Sequence, residues 1–567
     1  MATSQKQKQT SSLQLPALTC ETALYALALT AALVTRVAGL SRFALTGREL
    51  EGAVAALTWV RGNAQTGLAY SPLQWLLQAP LMAFTRASEV TVRLPVALAS
   101  VALILVIYGT RHALGRARAL VLAALVTLSP TLLHYGRQAD GAFVSAAAAL
   151  ATTLVVHHAR HTGQASAWRW VAVAFAVGLC SGAGFWTWLL AALLAGTAAM
   201  WFFKWTPQLY VSGQPLDRQP LLWFGVAFVG LSTALLTHPA GLGATLELTG
   251  DWFAGWRSTE PWFWPLHGLV LYEPLLLLLG ALGGVHAWRE RETLGLSALL
   301  WLGIALLVAL LGQRSLYWLP GVVAPLALLA ADGALWLLQV WRQGRGLEAH
   351  VATICLVVLL AFGVMNVLMY AQSNQREFAW LAAGAVLVLL VLWAGFWAWE
   401  GRAAALASGA LLLAAVLGAM TVRMALAVGY QTARDPREPL VYDSVVLSPR
   451  QMAKLLRDSS LVEAGDGRTL DIVWAPELDL EARWYLREMH DAHPQDAANW
   501  HDAEALFVSP GQDTLAPAGY VGQHLAWRAE WDGEGLPASD WLRWLLLREP
   551  VGWQSTDAIA LWYRFER

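Results

Sequence analysis

Charge is what this 567-residue sequence has least of. Asp, Glu, Lys and Arg make up 14% of it, against about 25% in soluble domains, so most of the chain must be hidden from water. An ordinary soluble protein is excluded. The formal net charge of −1 supplies no cationic field, which removes the electrostatic basis for a nucleic-acid partner. Cysteine is scarce as well. Cys20, Cys180 and Cys355 lie far apart in apolar stretches, so neither a disulfide framework nor a zinc cluster follows from them. In their place stand 57% hydrophobic residues, with 31 Trp and 13 Tyr, a composition suited to many membrane interfaces. The chain reads as a polytopic membrane protein.

The apolar run Leu18–Leu40 is too long for a signal-peptide core and is expected to be a retained first span. Further runs at Pro95–Tyr108, Leu120–Leu133, Gly141–Val156, Trp170–Gly182, Phe185–Phe203, Leu221–Thr237, Leu266–Val285, Leu294–Leu311, Trp318–Val340, Val351–Tyr370, Phe378–Trp399 and Ala403–Ala427 bring the expected total to about 13 helices. The least certain division falls at Ser181-Gly182-Ala183-Gly184. Cations collect in alternate loops at Lys6 and Lys8, Arg111, Arg116 and Arg118, Arg160 and Arg169, Lys204 and Arg218, Arg289 and Arg291, Arg342 and Arg345. By the positive-inside rule these loops and the N-terminus are cytoplasmic. The plasma membrane is the expected site, with the long first loop, 41–93, and everything after Tyr430 on its outer face. The predicted fold class is an all-α polytopic membrane bundle over residues 1–430 with a soluble extracytoplasmic α/β domain over 431–567. In that tail, Val445-Val446 leads into an amphipathic stretch, Ser448–Arg457. Asp471–Trp474 and Ala505–Val508 resemble short buried strands, and Ala558–Phe565 alternates like a half-exposed one. No Gly-rich phosphate loop, paired metal-ligand motif or nucleophile elbow is present in it.

Carboxylates at a membrane rim are costly unless paired or functional. Glu49 and Glu51 open an amphipathic segment after the first span, where a solvated helix start is the plainer alternative. Asp140 follows Arg137 by three residues, the spacing of a structural ion pair as much as of a site. Glu247, Asp251 and Glu260 alternate with Trp252, Trp256, Trp262, Phe263 and Trp264, either an aromatic belt or a sugar-stacking surface. Glu273, beside Pro274, is expected to be buried or paired at a kink. His157, His158 and His161 fit a wet loop better than a metal site.

The order of these motifs is recognisable. The acids after the first span, Tyr70-Ser71-Pro72, Val92-Arg93-Leu94-Pro95, and Ser129-Pro130 leading to Tyr135-Gly136-Arg137-Gln138-Ala139-Asp140 resemble a GT-C membrane glycosyltransferase. The likeness is to the protein-mannosyltransferase and aminoarabinose-transferase branch. Glu260-Pro261-Trp262-Phe263-Trp264, Leu271-Tyr272-Glu273-Pro274, Asp435–Tyr442 and Trp541-Leu542-Arg543-Trp544 narrow it to the flippase-activity-associated membrane proteins of N-glycan pathways. The resemblance implies a donor sugar on a polyprenyl phosphate, drawn from the bilayer and transferred to a protein or glycan acceptor on the outer face. Such an inverting displacement needs a carboxylate to take the acceptor proton and cations to steady the departing phosphate. Glu49, Glu51 and Asp140 are the implied catalytic carboxylates, expected to border one outward cavity. Arg48, Tyr70, His134, Tyr135, Arg137, Trp262 and Glu273 are the implied substrate contacts. No cofactor is required, a divalent cation is left open, and no metal ligands are assigned.

Two positions depart from the family. Its first motif begins Asp-Glu, where this chain has Arg48-Glu49, and a family Lys is replaced by Trp188. A misplaced carboxylate can cost on the order of a hundredfold in rate, so a non-catalytic binding, scaffold or flippase-associated protein stands as the alternative. A transporter would want ionisable residues deep in several spans, and beyond Arg36 and Glu273 there are few.

Overall fold

The computed structural model describes residues 19–45, 47–62, 70–202, 218–343, 347–441, 449–494, 503–508, 519–531, 536–549, 551–552 and 554–564. Leu18, Lys6, Lys8, Thr46, Phe203, Lys204, Arg345, Tyr442, Val445, Val446, Ser448 and Phe565 lie outside the described residues. Eight described helices are long and apolar enough to cross a membrane, or nine if the bent pair Trp264–Tyr272 and Pro274–Glu290 is one span. Ala167–Leu179, Phe185–Thr197 and Gln219–Ser232 are apolar but shorter. The expected Leu120–Leu133 span is broken into Arg116–Leu128 and Pro130–Tyr135. Pro130 cannot continue the first piece, and the Ser129 hydroxyl caps the second by accepting the Leu132 N–H.

Helix Leu319–Gln343 is central, with Val322, Val323 and the run Leu326–Ala331 all buried. Without a hydrophobic drive between helices in lipid, close association depends on small residues that let backbones meet. Gly283 and Gly333 do this here. A Cβ at Gly283 would lie 1.8 Å from the Leu329 carbonyl oxygen, and one at Gly333 would lie 1.9 Å from that of Leu279. The central helix and Pro274–Glu290 are therefore in backbone contact, and their register is fixed by two missing side chains.

The tail carries helix Pro449–Ala464 and a five-stranded sheet: β1 (Ile472–Trp474), β2 (Ala492–Pro494), β3 (Ala505–Val508), β4 (Tyr520–Glu530) and β5 (Gln554–Arg564). The strand order is β2-β1-β3-β5-β4. β1 runs parallel to β2 and β3, while β5 pairs antiparallel with β3 and β4, with Leu506 opposite Trp562. The α/β reading and three of these strands agree with the sequence. Met452, Leu456, Leu470, Ile472, Trp474, Ala505, Trp527, Ile559 and Leu561 form its core.

This tail grips the bundle. The Leu45 N–H donates to the Tyr485 hydroxyl (2.6 Å), Arg487 donates to the Ala87 carbonyl (2.8 Å), and Arg450 pairs with Glu89 (2.7 Å). Deeper in, Arg548 pairs with Glu438 (2.8 Å), each side chain 1% exposed. Glu438 also accepts from the Tyr272 hydroxyl (2.7 Å) and the Thr432 hydroxyl (2.9 Å). A buried carboxylate with this many donors is satisfied rather than stranded.

Candidate functional site at the tail-bearing end of the bundle

Helix Arg48–Val60 begins at Gly47, whose φ of +50° turns the chain into it from the first span. The second residue of that helix, Glu49, is only 1% exposed. Its Oε1 accepts from Arg93 Nε (2.8 Å) and from the Ala139 N–H (2.9 Å), while its Oε2 accepts from Arg93 Nη2 (2.7 Å) and Arg434 Nη2 (2.6 Å). The other Arg93 donors go to the carbonyls of Leu40 (2.9 Å), Phe43 (2.7 Å) and Ala44 (2.8 Å). Burial alone would push the Glu49 carboxyl up. The charge and hydrogen bonds of Arg93, then Arg434 and the Ala139 amide, carry it down to about 2.

Asp140 is one residue beyond the amide that Glu49 accepts, and its environment is the opposite. It is 7% exposed, its Oδ1 accepts the Ala142 N–H (3.0 Å), and its Oδ2 has no hydrogen-bond partner among the described residues. Burial pushes this carboxyl up to about 7, the Ala142 amide opposing and the Glu49 charge adding. The loop that carries it is braced from two sides. The Tyr317 hydroxyl donates to the Asp140 carbonyl (2.8 Å), and Gly141, at φ +87°, packs where a Cβ on Gly182 would stand 2.9 Å from its carbonyl oxygen. The glycine break in the sequence at 181–184 is thus a helix boundary that buttresses the Asp140 loop.

Arg48 lays its guanidinium 4.3 Å from the Tyr317 ring centroid, a cation–π distance. Glu51 is held above its ordinary range by burial, with Arg48 pulling down and Asp251 pushing up. Two recesses open near these groups. The first lies beside the Asp140 loop and is lined by Ala142, Ser145, Thr187, Gln313, Tyr317 and Trp318 among others. The second is lined by Phe43, Arg93, His134, Arg137, Gln138 and Arg434, with backbone from Gly39 and Gly429.

The structure brings Glu49 and Asp140 together, and Arg48 beside Asp140. Glu49, Glu51 and Asp140 are not among the residues that line these two recesses. His134 and Arg137 line the second recess. Tyr135 is buried edge-on against His134 (5.2 Å). Arg137 does not pair with Asp140 among the interactions described. It donates to the Thr35 carbonyl (2.8 Å) and stacks on Tyr430 (4.3 Å). Tyr70 bonds His238 Nε2 (2.8 Å), and that imidazole stacks on Trp75 (4.3 Å). Trp262 is 61% exposed and lines neither recess. Glu273 is fully buried where Trp264–Tyr272 bends by 99° into Pro274–Glu290. Its Oε1 accepts from the Ser129 hydroxyl (2.5 Å) and the Thr131 N–H (2.9 Å), so it ties that bend to the break at Pro130. Trp188, at the position of the family Lys, donates to Thr153 (2.9 Å). No group of three or more His, Cys, Asp or Glu among the described residues is placed to hold a metal ion.

Sequence reasoning assigned no role to Arg93, Arg434 or Tyr317. Arg93 carried a signal, since a guanidinium at the start of an apolar span demands a partner. Arg434 and Tyr317 carried none, because their partners are hundreds of residues away.

Residues 71–212, about a quarter of the chain, match the family model of dolichyl-phosphate-mannose-protein mannosyltransferase. Among solved structures, the chain is similar to ArnT from Cupriavidus metallidurans bound to undecaprenyl phosphate, at 16% identity and TM-score 0.47 over 88% of this chain and 94% of that one. The apo state of the same protein matches at 15% and 0.48 with the same coverage. The apo oligosaccharyltransferase of Archaeoglobus fulgidus matches at 12% and 0.47, over 84% of this chain and 64% of that one. No curated protein matches. The chain is a multi-pass membrane protein.

Proposed function

We propose that the chain is an integral membrane glycosyltransferase that moves a sugar from a polyprenyl-phosphate donor to a protein or glycan acceptor on the extracytoplasmic face, with Asp140 as proton acceptor. The observation that carries this is the state of Asp140: buried, one oxygen unpartnered, and held near about 7, where a general base is best matched to neutral pH. In the step, the acceptor oxygen or nitrogen bonds to the anomeric carbon, and the bond from that carbon to the phosphate oxygen breaks. The phosphate leaves with the electron pair, and the acceptor proton passes to Asp140. Arg48, beside Asp140 on the Tyr317 ring, is the cation available to steady the leaving group.

Glu49 has a different task in this reading. Both its oxygens are filled by guanidinium and amide donors, so it positions the Asp140 loop through Ala139 and does not exchange a proton with substrate. Glu51, half-buried between Arg48 and Asp251, orients Arg48. Tyr70 with its imidazole partner, and Trp262 on the surface, remain candidate sugar or acceptor contacts through their ring faces.

One observation favours a second reading, a GT-C-like binding or scaffold protein without turnover: Arg48 occupies the position where the family carries its expected base. Incubating the purified protein with a panel of polyprenyl-phosphate sugars, and scoring hydrolysis or transfer, decides between them. Turnover that Asp140→Asn abolishes supports the enzyme. Donor binding without any turnover, in the wild type as in the variant, supports the scaffold.

A further inference from the structure

We propose that helix Ala538–Leu547 of the tail is a membrane-surface element, its free apolar side laid into the outer leaflet of the bilayer beside the bundle. At 3.6 residues per turn, Trp541, Trp544, Leu542, Leu545 and Leu546 fall on one side of this helix, with Asp540 and Arg543 on the other. Protein covers only one edge of the apolar side. Trp544 is buried in the bundle core and Leu545 packs against that core, whereas Trp541 is 39% exposed and Leu542 and Leu546 are half-buried. The polar side is satisfied by its own neighbours. Arg543 donates to Glu549 through Nε (2.9 Å) and Nη2 (2.6 Å) and stands 3.8 Å from Asp540.

The depth of the helix is set by what it touches. Arg548, the residue that ends it, places Nη2 2.8 Å from Met424 Sδ and its guanidinium carbon 4.3 Å from the Trp544 ring centroid. Met424 lies inside the apolar span Ala405–Gln431, so one guanidinium separates the Trp544 ring from a membrane-spanning segment. At that level the span turns Val422 and Leu426 outward. The helix also packs against Leu347–Ser373, which turns Met365 and Met369 outward. Its free side is therefore continuous with surface that two spans present to lipid. Trp531, Trp541 and Trp544 stand together there, with ring centroids 4.8 to 5.7 Å apart, and indole rings are favoured at the boundary between headgroups and acyl chains. Ten residues make a helix of only about 15 Å, half of what crossing needs. A helix this short, with Trp and Leu on one side and charge on the other, lies in the plane of the interface.

The tail is then held at two places, on the first loop through Arg450, Tyr485 and Arg487 and on the bilayer through this helix. Nothing in this inference depends on the transferase reading. The test uses the full chain in phosphatidylcholine nanodiscs. A nitroxide is attached at Leu542→Cys or Leu546→Cys in a background carrying Cys20→Ser, Cys180→Ser and Cys355→Ser, and its collisions with oxygen, which concentrates in lipid, and with a water-soluble nickel chelate are measured by spin resonance. Val462→Cys, on an exposed position of helix Pro449–Ala464, is the water reference, and Leu390→Cys, exposed on span Arg376–Trp399, is the lipid reference. Both test positions are expected to meet nickel at least fivefold less often than position 462 and oxygen within twofold of position 390. Nickel collisions equal to those at 462 place the helix in water and overturn the proposal. Few collisions with either probe mean that protein, a second copy or another partner, covers the side, and overturn it as well. If the labelled variants do not fold, the unsubstituted chain decides: a photoactivatable phospholipid in the nanodisc should leave adducts on residues 541–546, and labelled spans without adducts there refute the assignment.

Discussion

Replacing Glu49 by Gln separates an anchoring carboxylate from a reacting one. The side chain is 1% exposed and its pKa is lowered from 4.5 to about 2, which corresponds to about 3 kcal/mol of folded-state stabilisation. The sign follows from the direction of the shift. The stabilisation is complete above pH 4.5 and is lost as the pH falls through about 2. Gln keeps the Ala139 contact but removes the carboxylate charge to which Arg93 and Arg434 both donate. Breaking one side of a buried pair costs about 3–5 kcal/mol, in line with the figure from titration. In detergent, thermal melting followed by tryptophan fluorescence should show Glu49→Gln melting about 5 °C or more below wild type at pH 7. The gap should narrow as the pH is lowered toward 3, because the wild type then loses what the variant already lacks. If Glu49→Gln melts with the wild type while transfer disappears, the carboxylate is a proton carrier and the anchoring account is wrong.

Transfer should fall on the acid side with a midpoint near about 7, since Asp140 must be ionised to accept a proton; a rate unchanged down to pH 5 would remove it from that role. The same raised pKa means that the folded state loses stability as pH climbs from about 4 to about 7, so Asp140→Asn should melt higher than wild type above pH 7, by up to about 4 kcal/mol in free energy. Glu438→Gln strands Arg548 and should cost about 3–5 kcal/mol, read as faster protease release of the tail, whereas Glu438→Leu combined with Arg548→Met should cost less. Gly283→Val forces a side chain onto the Leu329 carbonyl and should leave no monodisperse protein in detergent, while Gly303→Ala, with nothing within 4 Å, should be neutral.

The spans and the tail strands were legible because burial writes a periodic signature into a local stretch: β3 begins and ends where the alternation at Ala505–Val508 does. Span integrity was less so. Leu120–Leu133 is apolar throughout, and only the Ser-Pro pair announces that it is two helices. Of the candidate site less could be read. Glu49 accepts the amide of the residue before Asp140, yet the chemical characters of the two carboxylates are set by partners that local sequence does not reveal. Arg434, 385 positions beyond Glu49, helps to fill one, while Asp140 Oδ2 meets no such donor among the described residues. Glu273 shows the same limit, since its partners Ser129 and Thr131 lie more than 140 positions upstream.

The grip of the tail on the first loop has a consequence for how the protein comes into being. Glu49 and Arg93 leave the ribosome early and can meet while the rest of the bundle is still being made. Arg434, Arg450, Tyr485 and Arg548 emerge only after the last span has been inserted, and translation at about 5–20 residues per second puts many seconds between the two events. For that interval the early carboxylate holds one guanidinium instead of two, and the Asp140 loop lacks its finished support. A ribosome that stops before residue 434 therefore releases a fully threaded bundle in which Glu49 has met only one of its two guanidinium partners.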